Sequence, residues 1–162
     1  MSPSTSESPD PASPVDGAHP AASKPALRRH FRARRQAALA ASEAAILAAA
    51  VHELPDRLRP GLRLGIAWPL RGEVDLRPLA LHRLPLALPA VVPDPASPSG
   101  ARLLYRDWRP GEPVAPDHCG VPAPLPGTSA FALPPECLGL LLVPALAFDP
   151  RTGIRQIGRA HV

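Results

Sequence analysis

Proline limits what this chain can build. There are 25 prolines in 162 residues, and beyond the amino-terminal tail most of them fall between apolar runs. Each fixes φ near −65° and removes a backbone donor. The expectation is many short elements joined by stiff turns. The first 23 residues, rich in Pro, Ser and Ala, hold almost no large apolar side chain; they carry Glu7, Asp10 and Asp16 but no Lys or Arg. They cannot bury enough surface to offset the entropy of ordering, so residues 1–23 read as a disordered tail. The rest suffices for one modest core.

Lys24 to Leu39 reads as a helix, with Leu27, Phe31 and Ala38 on one face and Lys24, Arg28, Arg32 and Arg35 on another. Pro25 suits its first turn. Ser42 is expected to cap a second helix, Glu43 to Leu54, which Pro55 ends. Leu62 to Pro69 reads as a buried strand. A crossover with a short helix over Leu76 to His82 leads to a second strand, Leu84 to Val92, read as an edge or an interrupted strand because of Pro85 and Pro89. Leu103 to Trp108 is a short strand, Pro110 to Pro135 a long connection, and Leu138 to Val143 a third apolar strand in a central position. Helices first, then strands alternating with connections, predict an α/β layered domain with a mostly parallel sheet flanked by helices, short of material at its carboxyl end.

Arg71-Gly72-Glu73-Val74-Asp75 follows the first strand. Ligands of α/β proteins usually sit in the loops at the carboxyl ends of strands. Glu73 there can accept hydrogen bonds from a heterocycle or an amide, or it is an ordinary exposed turn acid. Trp68 can stack on a flat ligand or pack in the core, and Trp108 has the same two readings. Asp149 reads as a turn cap or a cation ligand. Lys24 and Arg28, one turn apart at a helix start, can converge with the helix dipole on a phosphate. The basic helix also fits a solvated face or a nucleic-acid patch, although the aromatic interleaving used in single-strand binding is missing.

Net charge is +4, too local in origin to imply a polyanionic partner. The two cysteines, Cys119 and Cys137, lack metal-ligand spacing and read as a reduced pair. No apolar stretch is expected to reach the roughly 18 residues of a membrane span. The amino terminus lacks the layout of a secretory signal. A cytoplasmic location is expected, with no membrane or nucleic-acid partner.

Taken in order, Lys24-Pro-Ala-Leu-Arg28-Arg29, Pro69-Leu-Arg-Gly-Glu-Val-Asp75, Leu88-Pro-Ala-Val-Val92, Trp108-Arg-Pro-Gly111, Gly120-Val-Pro122 and Val143 to Asp149 through Gly153-Ile-Arg155 resemble a 5-formyltetrahydrofolate cyclo-ligase (methenyltetrahydrofolate synthetase). The resemblance covers Lys24 to Arg155. It implies ATP- and Mg2+-dependent conversion of 5-formyltetrahydrofolate to 5,10-methenyltetrahydrofolate, with release of ADP and phosphate, by a protein monomeric when complete. By position it assigns Lys24, Pro25, Ala26, Leu27, Arg28 and Arg155 to ATP, and Trp68, Glu73 and Trp108 to the folate. Leu76 departs from the family's usual Thr, and the crossover between Pro78 and Leu84 is short.

After Arg155 the family pattern, a glycine-rich turn with an aspartate for magnesium, gives way to Gln156-Ile-Gly-Arg-Ala-His-Val162. One reverse translation of that run is a frame of a common short-read sequencing adapter. Residues 24–155 therefore read as a partial domain and 156–162 as a non-native tail. The expectation is a fragment without turnover.

Overall fold

The computed structural model describes residues 23–126, 132–148 and 155–156. The amino-terminal tail and the Asp149 turn lie outside them. Helix α1 (Lys24–Arg57) is one continuous rod of 34 residues, not the two helices expected. Ser23 caps it, its hydroxyl accepting from the Ala26 N–H at 3.4 Å. Ser42 does not start a new helix. Its hydroxyl donates to the Ala38 carbonyl at 2.6 Å, the back-bond that lets serine sit inside a helix, and the surrounding alanines favour continuation. Pro55 lies inside the last turn, and the helix ends where Leu58 turns extended at ψ 113°.

Joining the two segments changes a further expectation. An 18-residue window of α1 reaches a mean hydropathy of 1.4, long and apolar enough on those two measures to cross a membrane. In the fold, Leu47, Ala50, Val51 and Leu54 of this helix pack against the core of the sheet.

The sheet contains β1 (Arg63–Gly65), β2 (Leu86–Pro93), β3 (Ala101–Trp108) and, late in the chain, β6 (Leu138–Leu141), in the spatial order β3-β2-β1-β6. β1 runs parallel to β2 and to β6, and β3 runs antiparallel to β2. This is an α/β domain with a mixed, largely parallel sheet, as the element order predicted. A short 3-10 helix (Arg77–His82) makes the crossover from β1 to β2. Leu64, Ile66, Leu79 and Leu88 are the largest fully buried side chains of the domain, each contributing about 1.5–3 kcal/mol by burial.

Two strand positions differ from expectation. β2 is interior, although it contains Pro89. That proline pairs with Tyr105, whose carbonyl accepts from the Leu133 N–H on the opposite side at 2.8 Å. Tyr105 and Pro89 are therefore a non-hydrogen-bonded pair. The missing donor of Pro89 points toward the β1 side, where β1 has already ended. Conversely, β6 lies at the edge of the sheet among the described residues rather than in its centre.

The long connection contains an unexpected ribbon, β4 (Val114–Pro116) with β5 (Pro122–Pro124). Asp117 makes it possible. One carboxylate oxygen accepts from the Cys119 and Val121 amides at 2.9 and 3.0 Å, and the other accepts from the Val91 amide of β2 at 2.8 Å. One side chain thus holds the turn between β4 and β5 and fastens it to β2. The last described pair is β7 (Ala147–Phe148) with β8 (Arg155–Gln156), antiparallel.

Candidate functional site

β1 has β2 on one side and β6 on the other. The chain leaves the carboxyl end of β1 toward β2, while β6, parallel to β1, flanks it on the other side. Such a switch point opens a crevice at the strand ends. A groove of about 800 Å³ lies there, a size that suits a small-molecule ligand. One wall is a stripe of α1 that includes Arg35, Ala38, Ser42, Ile46 and Ala49. The opposite wall is Ala67, Pro69 and Glu73 from the loop after β1. Leu142, Val143 and Pro144, following β6, close the end.

Glu73 is set by its own turn. Its N–H donates to the Leu70 carbonyl at 2.9 Å, and its side chain accepts from the Leu70 N–H at 3.1 Å. Gly72 takes φ +83° in this turn, a left-handed conformation that strains any residue with a Cβ. The other carboxylate oxygen lies 3.6 Å from the Arg35 guanidinium of α1. Sequence reasoning placed Arg35 on the basic face but gave it no partner. Nothing in a linear sequence links residue 35 to residue 73.

Asp75 ties the same loop down. Its N–H donates to Glu43 of α1 at 3.1 Å, and its carboxylate accepts three bonds from Arg77, at 3.0, 2.8 and 2.7 Å. The Arg77 hydrogen bond is the main reason the Asp75 carboxyl is held below its ordinary range. The guanidinium of Arg77 lies 4.2 Å over the Trp68 ring, a cation–π arrangement. Because the folded pKa is depressed, the pair's stabilisation is present above the ordinary carboxylate pKa of about 4. It is lost as pH falls through the lower folded value. Asp75→Asn is expected to flatten the acid limb of stability below about pH 4, read as urea midpoints from neutral to acidic pH. An acid limb identical to wild type would show that the pair contributes nothing.

The implied folate residues do not all meet. Ala67 and Pro69 face the groove, whereas Trp68 between them packs toward the core cluster. Trp68 meets Trp108 edge-on at 6.3 Å between centroids. Trp108 is 7% exposed, with its indole N–H buried and without a hydrogen-bond partner. The two indoles therefore stand together behind the groove wall, and Glu73 stands on it. Lys24 and Arg28 occupy the first two turns of α1, where Pro25, Ala26 and Leu27 lie between them. Arg28 and Arg35 are seven residues apart, so they share a face. The stripe of α1 that lines the groove thus continues, toward the helix start, into Arg28 and Lys24. Arg155 pairs with Phe148 in the terminal ribbon.

No group of three His, Cys, Asp or Glu gathers for a metal among the described residues. Magnesium carried on a nucleotide needs only one or two carboxylates besides phosphate and water.

No protein-family model matches the chain, and no curated protein matches it. Among solved structures, the NMR structure of Aquifex aeolicus 5,10-methenyltetrahydrofolate synthetase aligns with a TM-score of 0.53 and 21% identity over 76% of this chain. The fold resembles that of this synthetase. The likeness concerns fold, and this chain spans 61% of that structure's chain.

Proposed function

We propose that the groove is the folate side of a 5-formyltetrahydrofolate cyclo-ligase, and that the start of α1 is its nucleotide side. The observation that carries this reading is the placement of Glu73. A carboxylate braced by a turn and a helix cation opens onto an apolar groove at the switch point of the sheet. That wall suits a flat heterocycle with N–H donors. The ordered motifs and the likeness of fold support the same reading.

In the proposed reaction the formyl oxygen attacks the γ-phosphate of ATP, and ADP leaves. The neighbouring folate nitrogen then closes the ring as phosphate departs. Transfer of phosphoryl groups is governed mainly by positioning and charge neutralisation. Lys24 and Arg28 would neutralise the phosphates, and Glu73 would fix the pterin through its N–H groups. Arg155 would stand at the nucleotide. Magnesium carried in with ATP would offset part of the charge on the phosphates that Lys24 and Arg28 hold.

The reading is tested by direct binding. Isothermal titration of 5-formyltetrahydrofolate into the chain is expected to show one saturable site. Ala49 is exposed and lines the groove, so Ala49→Trp should fill the groove without disturbing the core. It is expected to abolish binding with an unchanged melting temperature. Full binding by Ala49→Trp would place the folate elsewhere.

A further inference from the structure

Glu73 has its two carboxylate oxygens addressed from different directions. The Leu70 N–H fixes one from within the turn. Arg35, from α1, faces the other at 3.6 Å, with side chains 27% and 17% exposed. An ionised carboxylate offers about four acceptor positions, so a carboxylate held this way retains capacity for a ligand. Arg35 also lines the groove, and its Nε is buried without a hydrogen-bond partner. Its guanidinium is thus not exhausted by Glu73. A single bond from the Leu70 N–H leaves χ3, a soft torsion, only loosely held. The helix cation restricts it.

The rod that carries Arg35 also carries Arg28, seven residues earlier, about 10 Å along the axis. α1 is unbroken between them. We infer that Arg35 is a positioning residue that holds the Glu73 carboxylate aimed into the groove, so that the folate heterocycle is read by an acid whose orientation is set from the nucleotide-side helix. This rests on the cyclo-ligase reading and extends it to a residue outside the motifs that carry the resemblance.

The test uses the full chain and titrations of 5-formyltetrahydrofolate and of ATP. Arg35→Gln removes the charge, Arg35→Lys keeps it, and Glu73→Gln removes the group positioned. Arg35→Gln is expected to weaken folate binding about tenfold, the loss of one charged interaction, while ATP affinity and the urea midpoint stay at wild-type values. Arg35→Lys should recover part of the loss. Because Arg35 acts through Glu73, the double variant should bind folate no worse than Glu73→Gln alone.

Wild-type folate affinity in Arg35→Gln would reduce the contact to a structural ion pair and overturn the inference. A parallel loss of ATP affinity would make Arg35 a phosphate contact and overturn it equally. Additive losses in the double variant would show that Arg35 acts independently of Glu73, which also contradicts a positioning role. If the wild-type chain binds no folate at all, the cyclo-ligase reading falls and this inference falls with it.

Discussion

Leu64→Ala is expected to lower stability by about 2–5 kcal/mol, the range for emptying a fully buried leucine site. Leu64 is completely buried in the middle of β1. Its strand is hydrogen-bonded to β2 on one side and β6 on the other, and Ile66, Leu79, Leu88 and Trp108 share its cluster. Strands held on both flanks cannot close easily over a cavity, which favours the upper part of that range. Domains of this kind have only about 5–15 kcal/mol in all. Urea unfolding should show a lower midpoint with an unchanged slope. Leu103, 56% exposed on β3, supplies the contrast: Leu103→Ala should change stability by no more than about 0.5 kcal/mol. Equal shifts for the two variants would mean that the core does not lie on this face of the sheet.

Short-range chemistry revealed some elements, and others depend on contacts far apart in sequence. The apolar run at Leu62 to Trp68 pointed to β1, although the strand itself is shorter. The crossover was also legible. Leu76 to His82 lies between two apolar runs, and Pro78 fits the opening turn of a short helix; the segment forms the 3-10 helix Arg77–His82.

The Ser42 break failed for a physical reason. A serine before a helical run is a cap only if the preceding residues leave the helix, and Ala38 to Ala41 do not. Pro89 misplaced β2 because the proline rule concerns the donor. Whether a donor is missed depends on which neighbour it faces, and that is a property of register. The β4–β5 ribbon was hidden because its strands are three residues each and rich in proline, and its turn is held by the Asp117 side chain.

The candidate site was legible to the same depth. Glu73 was singled out because it follows a strand's carboxyl end, where ligands of α/β proteins usually sit. Its partner Arg35 was invisible because the contact joins α1 to the loop after β1 across the fold. Trp68 by its place alone read as a stacking ring or as core, and only the resemblance assigned it to the folate; its neighbours Ala67 and Pro69 face the groove, and its ring faces Arg77 and Trp108. Alternation along an extended loop decides that, and the bounds of a strand read from sequence were too loose to set the phase. β1 ends at Gly65 rather than Pro69.

The second large effect concerns the start of α1. Lys24 is exposed and Arg28 half-buried on the first two turns, at the helix end where the dipole also favours an anion. Each charge-assisted bond to phosphate is worth roughly 1.5–3 kcal/mol. If the proposed function holds, losing two is expected to cost about 3–6 kcal/mol, or roughly a hundred- to ten-thousandfold in kcat/KM for ATP. Neither side chain belongs to the buried cluster, so the fold should survive their replacement.

The decisive measurement is ATP-dependent formation of methenyltetrahydrofolate, followed by absorbance, in a chain continued past Arg155 by the glycine-rich segment that the resemblance implies. The account predicts turnover in that protein and a loss of about a hundredfold or more in kcat/KM for ATP when Lys24→Gln and Arg28→Gln are combined. Turnover unchanged in the double variant, or none in the parent protein, would contradict it.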